Sequence, residues 1–81
     1  MILTPKDLAI QLKLYRVKNN LTQYDISLKT GIKQTTISSF ENNPDKTRLV
    51  TVFKIIQSLD LGVALLSKDE KEIETLDRNL L

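Results

Sequence analysis

The sequence of 81 residues contains no cysteine and no histidine, and it has only two glycines. Without cysteine there is no disulfide framework and no thiolate metal site, and without histidine the commonest general base and metal ligand is missing. No glycine-rich phosphate loop is present, and no pair of carboxylates lies inside an apolar stretch. The sequence therefore predicts a protein that is not an enzyme and that holds neither a metal ion nor a cofactor.

Long apolar runs and aromatic residues are also scarce. No run of 18 apolar residues is present, and the apolar start at residues 1–3 is followed at once by Lys6 and Asp7, which argues against a signal peptide. We therefore expect a cytoplasmic protein. A hydrophobic content of 41% with four aromatic residues suits a small all-helical fold built on leucine and isoleucine. At this length we expect one domain, whose marginal core would gain stability from dimerisation.

The small net charge of +2 hides an asymmetry along the chain. Residues 1–67 carry nine Lys or Arg against five Asp or Glu, whereas residues 68–81 carry three against five. This division predicts a basic domain over residues 1–67 and an acidic, mobile tail over residues 68–81. A basic domain suits a protein that binds the phosphates of a nucleic acid. An excess of positive charge of this size is also common, however, in proteins that bind no nucleic acid.

The most informative stretch of the sequence runs from Leu21 to Asn42 and divides at Gly31. Before the glycine, Thr22 and Asp25 have the spacing of a capping box, which predicts a helix over residues 23–30. The glycine itself suits a tight turn that requires a positive φ. After it, apolar residues recur at helical spacing and predict a helix over residues 34–42. The polar face of this helix consists of short hydroxyls and an amide, which are the groups that base edges in a major groove require.

Two further helices frame this stretch. Thr4 and Pro5 predict the start of a helix that ends near residues 19–20, and a fourth helix is expected from residue 47 or 48 to residue 59. Its core stripe is expected to comprise Leu49, Val52, Phe53, Ile56 and Leu59. Ile55 falls outside that stripe, so we expect it to face a partner subunit. Gly62 is expected to break the helix.

The apolar run after Gly62 predicts a short strand. A lone strand has an open edge that invites aggregation, and pairing with the same strand of a second copy removes that edge. The residues assigned to dimerisation are therefore Ile55, Val63, Ala64, Leu65 and Leu66.

The spacing of Gln23, Ser27, Gly31 and Ile37 resembles the helix-turn-helix motif of phage-repressor and Xre-type DNA-binding domains. The segments GIKQTTIS, FENNPD and KIIQSL are similar to those of HipB-type antitoxins, and the resemblance covers residues 3–66. It implies a four-to-five-helix, phage-repressor-like domain in the all-α class. It also implies a homodimeric repressor that binds a palindromic operator, regulates its own operon and inhibits a HipA-like serine/threonine kinase toxin. Such a protein would be associated with the nucleoid.

Two alternatives stay open at this point. The chain could be a free-standing Xre-type repressor without a toxin partner, or a module that binds only other proteins. The polar, short-chain face of the third helix counts against the second alternative.

The candidate site residues fall into three sets. Base contacts are expected from an amide, an amine and two hydroxyls of the third helix and its start, namely Gln34, Lys33, Thr35 and Ser38. Phosphate contacts are expected from Thr22, Gln23, Thr36, Asn42, Lys46 and Arg48, of which Gln23 rests on the resemblance and Asn42 could equally be a helix cap. The resemblance also implies that Arg16 and Glu41 form a structural ion pair, which positions the third helix and does not contact DNA.

Overall fold

The computed structural model describes residues 1–69, which form four α-helices. Helix α1 spans Pro5–Lys18, α2 spans Gln23–Thr30, α3 spans Gln34–Asn42 and α4 spans Leu49–Ser58, and a 3₁₀ turn covers Pro44–Lys46. The predicted all-helical class is therefore confirmed. Residues 61–69 contain one isolated β-bridge position, at Leu66, and otherwise no helix or strand, so the pairing of residues 63–66 between two chains stays a prediction. The predicted tail lies, from residue 70 onward, outside the described residues.

Helices α1 and α4 end in the same way. The residue after each C-cap, Asn20 or Asp60, has a positive φ of 59° or 57°. The next N–H then turns back, from Leu21 to the carbonyl of Arg16 at 3.0 Å and from Leu61 to the carbonyl of Ile56 at 3.2 Å. This is the Schellman pattern, and both leucines pack against the core. The expectation that Gly62 breaks α4 is therefore wrong, because the chain has already reversed at Asp60.

All four helices contribute to one hydrophobic core. Its buried residues are Ala9 and Leu12 from α1, Ile26 from α2, Ile37 and Phe40 from α3, and Val52, Ile55, Ile56 and Leu59 from α4 and its C-cap. The largest fully buried side chains, Phe40, Ile26 and Ile37, all belong to the two helices that flank Gly31. The apolar faces of α2 and α3 are therefore committed to the core, which leaves their polar faces outward.

The predicted orientation of α4 needs correction. Ile55 is 4% exposed and belongs to the core, whereas Leu49 is 71% exposed and Phe53 is 40% exposed. At about 100° per residue, Val52, Ile55, Ile56 and Leu59 centre on one face, and Leu49 and Phe53 fall on its edge. Ile55 therefore cannot face a partner subunit from a surface position, and the exposed apolar group of α4 is Phe53 with its neighbours.

Packing of the helices leaves one side of α3 free. Helix α2 packs against α3 and α4, and α1 packs against α3 and the 3₁₀ turn. The 3₁₀ turn also contacts α3. Helix α3 is thus supported on its apolar face by two helices and at its end by the turn, so its polar face is presented on a fixed scaffold.

Candidate nucleic-acid interface

Helix α2 begins with the predicted capping box. The N–H of Asp25 donates to Thr22 Oγ1 at 3.0 Å, and the N–H of Thr22 donates to Asp25 Oδ2 at 2.8 Å. The hydrogen bonds from Thr22, chiefly that from its backbone N–H, favour the ionised carboxylate, so they lower the pKa of Asp25 below its ordinary value of 3.8. The start of α2 is therefore fixed by two reciprocal bonds at neutral pH.

The turn between α2 and α3 depends on Gly31. Its φ is 73°, and its N–H donates to the carbonyl of Ser27 at 2.9 Å. An added Cβ would meet no atom within 4 Å, so the need for glycine is conformational and not steric. The hydroxyl of Ser27 donates to the carbonyl of Ile32 at 2.6 Å, and Thr30 Oγ1 accepts the N–H of Ile32 at 3.1 Å. These bonds set the direction in which α3 leaves the turn.

The outer face of α3 is polar from its first turn. Lys33 is the N-cap residue and makes no side-chain capping bond, and Gln34 is the first helical residue. Both are exposed, as is Thr35. Ser38, one turn on, is partly buried, and its hydroxyl accepts a hydrogen bond from Asn42 Nδ2 at 3.3 Å. The four predicted base-contacting residues therefore lie along one helix and its cap, with an amine and an amide at the leading end.

An open groove lies between α3 and the segment that joins the 3₁₀ turn to α4. Six of its ten lining residues carry a hydroxyl, two are asparagines, and the remaining two are Lys46 and Arg48; the full set is Thr35, Thr36, Ser38, Ser39, Asn42, Asn43, Lys46, Thr47, Arg48 and Thr51. None of these residues carries a carboxylate, so within residues 1–69 the charged side chains of the groove are both positive. A groove of hydroxyls and cations suits a phosphate backbone.

A nearly buried network holds α3 from behind. Arg16 Nε donates to Glu41 Oε2 at 2.8 Å and Nη2 donates to Oε1 at 3.0 Å, with the two side chains 10% and 5% exposed. Arg16 Nη1 also donates to the carbonyl of Leu21 at 2.7 Å. The ion pair implied by the resemblance is therefore present. It contains a third side chain that the sequence did not suggest, because Gln23 Nε2 donates to Glu41 Oε1 at 2.9 Å.

The structure brings most of the predicted phosphate contacts together. Thr36, Asn42, Lys46 and Arg48 line the groove, whereas Thr22 and Gln23 lie apart from it at the start of α2. The sequence did not suggest Thr47 and Thr51, although Thr47 precedes Arg48, the N-cap residue of α4, and Thr51 follows it by about one helical turn. The predicted dimerisation residues 63–66 are exposed and lie away from these groups in the chain.

No helix among residues 1–69 is long and apolar enough to cross a membrane. In the same part of the chain, no group of three or more Asp or Glu side chains is placed to hold a metal ion.

Comparison with known proteins identifies the family. A family model described as Helix-turn-helix matches residues 12–66. The antitoxin HipB of Escherichia coli K12 is 46% identical to this chain over 80 residues, covering 99% of this chain and 91% of the relative. The chain belongs to the HipB family of helix-turn-helix antitoxins. The resemblance read from the sequence is thereby confirmed.

Solved HipB structures share the fold. Two of them, a HipB-O4 20mer complex and a HipA-HipB-O2-O3 complex, each superpose with a TM-score of 0.82 at 51% identity, covering 84% of this chain and 96% of the other chain. This chain and HipB therefore share one fold over most of their length.

Proposed function

We propose that this protein is a sequence-specific DNA-binding repressor and the antitoxin of a HipA-like kinase, and that it regulates its own operon. The observation that carries the DNA-binding part is the groove beside α3, lined by hydroxyls, Lys46 and Arg48 without a carboxylate. The antitoxin part is supported by a HipB relative whose solved complex contains HipA, HipB, O2 and O3 together. A repressor of this kind acts by occupying a promoter, so it requires no catalytic group.

In this proposal α3 enters the major groove with its N-terminal end leading. Gln34 pairs with adenine through its amide, and Lys33 donates to guanine O6 or N7. Ser38 and the methyl group of Thr35 approach the neighbouring base pairs from the same face. The exposure of Lys33 at the start of α3 supports this placement, since an exposed amine at this end of the helix can reach a base.

The groove holds the DNA backbone next to those bases. Lys46 and Arg48 neutralise phosphates, and Thr36, Asn42 and the two unpredicted threonines, Thr47 and Thr51, donate hydroxyl or amide hydrogens to the same strand. Thr22 and Gln23 contact a second backbone position at the start of α2. The charged contacts set overall affinity, while the α3 contacts set sequence preference.

We assign dimerisation to an exposed apolar surface on α4 and the segment after it. Phe53 is 40% exposed and Val50 is 58% exposed, and Val63, Leu65 and Leu66 are between 45% and 70% exposed. Burying these side chains against a second copy removes apolar area from water and gives residues 63–66 a pairing partner. A two-fold dimer places two α3 helices about 34 Å apart, in successive major grooves of a palindromic operator.

The HipA-like partner requires a surface away from the DNA groove. Helix α1 offers one, because Ile10, Leu14 and Val17 form an exposed apolar stripe at helical spacing on the side opposite its core residues. Leu14→Ser, at a position 58% exposed, should reduce co-purification with a co-expressed HipA-like kinase while operator affinity stays within twofold. Unchanged co-purification would show that this face of α1 does not contact the kinase.

The direct test of the proposed function uses a duplex that carries the two-fold symmetric sequence upstream of the protein's own gene. We expect the logarithm of the binding constant to fall linearly with the logarithm of salt concentration, and Lys46→Ala or Arg48→Ala to flatten that slope by about one unit each. The matched control is Lys13→Ala, an exposed lysine of α1 outside the groove, which should leave the slope unchanged. Equal slopes for all variants would contradict the groove assignment. Since DNA is the proposed ligand, we place the protein with the bacterial chromosome in the cytoplasm.

A further inference from the structure

Glu41 accepts hydrogen bonds from two side chains, Arg16 and Gln23. Through Arg16 it is tied to α1 and to the carbonyl of Leu21, and through Oε1 it accepts the Gln23 amide at 2.9 Å. A single chain of bonds thus connects the loop before α2, the first residue of α2 and the last turn of α3. Of these side chains, Gln23 is the one proposed to contact DNA, so Glu41 is hydrogen-bonded directly to a side chain that would hold a backbone phosphate.

The bond to Glu41 determines how the Gln23 amide is oriented. A carboxylate accepts hydrogen bonds and cannot donate them, so the nitrogen of the amide, and not its oxygen, must face Glu41. One of the two N–H groups is then engaged. The planar amide directs the other N–H about 120° away from the first. Because Gln23 is partly buried, this second N–H is held in one direction instead of sampling several rotamers.

We propose that Glu41 is a positioning residue for DNA binding, which aims the free N–H of Gln23 at a backbone phosphate. This rests on the proposed function, in which Gln23 contacts a phosphate. The amide can keep Glu41 and reach the phosphate at once, because the two bonds use different hydrogens. The carboxylate does not repel the phosphate, since Arg16 neutralises it with two bonds. Positioning lowers the rotamer entropy that Gln23 would otherwise lose on binding.

The test removes the acceptor without leaving a buried charge. Arg16→Met combined with Glu41→Met replaces the ion pair by apolar side chains of similar length, a change that is often neutral for stability. Operator affinity is measured for four proteins: wild type, Gln23→Ala, the paired methionine variant, and the variant with all three changes. The DNA is the symmetric duplex from the protein's own promoter, and each protein is first checked for cooperative unfolding.

If Glu41 positions Gln23, the two sets of changes are not additive. We expect Gln23→Ala to weaken binding about tenfold in the wild type, the loss of one hydrogen bond to a charged group. In the paired methionine background, which should itself bind about fivefold more weakly, Gln23→Ala should cost less than about twofold. The salt slope should not change in any variant, because Gln23 carries no charge and the paired methionine change removes one positive and one negative charge together. A cycle with Gln34→Ala in place of Gln23→Ala should be additive.

A tenfold cost of Gln23→Ala in both backgrounds, or wild-type affinity in the paired methionine variant, would overturn the proposal and leave Glu41 as scaffold. A second measurement does not depend on the variants folding. In the wild-type protein, NMR should show one slowly exchanging hydrogen on the side-chain amide of Gln23, and rapid exchange of both hydrogens would also overturn it. Failure of the wild type to bind the duplex is a different result, because it refutes the proposed function while the exchange measurement still reports on the Glu41 bond.

Discussion

Replacing Arg16 should lower the free energy of unfolding substantially, and the structure indicates by how much. Arg16→Met deletes three hydrogen bonds and leaves the Glu41 carboxylate, in a side chain 5% exposed, without its cation. Breaking a buried pair in this way costs about 3–5 kcal/mol. Because the Arg16 side chain is 10% exposed and water can reach its edge, we take the lower figure of about 3 kcal/mol. For a domain of this size that loss lowers Tm by about 12–24 °C.

Urea unfolding followed by circular dichroism measures the loss, at one protein concentration because the chain is proposed to dimerise. Adding Glu41→Met to Arg16→Met should restore most of the free energy of unfolding, since no buried charge is then left unpaired. Lys13→Met is the control, an exposed lysine on the same helix, and should stay within about 0.5 kcal/mol of wild type. A loss below about 1 kcal/mol for Arg16→Met, or no recovery in the paired variant, would show that the unpaired Glu41 carboxylate does not destabilise the fold.

Three further predictions concern the core, the α2 cap and the dimer. Ile55→Ala should lower the free energy of unfolding by about 2–5 kcal/mol while Leu49→Ala, at a position 71% exposed, costs less than about 1 kcal/mol in the same urea assay. Asp25→Ala should be less stable than wild type above pH 3.8. The difference should vanish as pH falls through the lowered pKa of Asp25, because only the ionised carboxylate stabilises the folded state. Thermal unfolding at a series of pH values follows this, and a difference that grows on acidification would contradict it. Phe53→Ser should shift the equilibrium from dimer toward monomer in sedimentation at micromolar concentration. An unchanged dimer would show that Phe53 of α4 is not part of the dimer interface.

Local signals in the sequence were sufficient for the two helices of the motif. The capping box of Thr22 and Asp25 fixes where α2 begins, and the positive φ of Gly31 fixes where it ends, so the predicted bounds of residues 23–30 agree with the structure. Helix α3 was also predicted at its observed bounds, because Ile37 and Phe40 share one apolar face. Both signals act within a few residues and do not depend on the rest of the fold.

The orientation of α4 could not be predicted in the same way. The helix carries apolar residues on more than half of its surface, so periodicity alone permits a core face that contains either Phe53 or Ile55. In the folded structure Ile55 is buried in the core and Phe53 is exposed. For the same reason the sequence did not suggest Thr47 and Thr51 as groove residues, since their position depends on how α4 leaves the 3₁₀ turn. The bond between Gln23 and Glu41 joins residues 18 positions apart and requires the folded structure.

Base readout by α3 can be measured at Gln34, the first residue of the helix. The affinities of wild type and Gln34→Ala should be measured at one salt concentration, for the symmetric operator and for duplexes in which each half-site base pair is changed in turn. We expect Gln34→Ala to lose about 1–3 kcal/mol of binding free energy on the operator and to discriminate no longer at one base pair in each half-site. A variant that keeps the wild-type preference at every base pair would contradict this expectation.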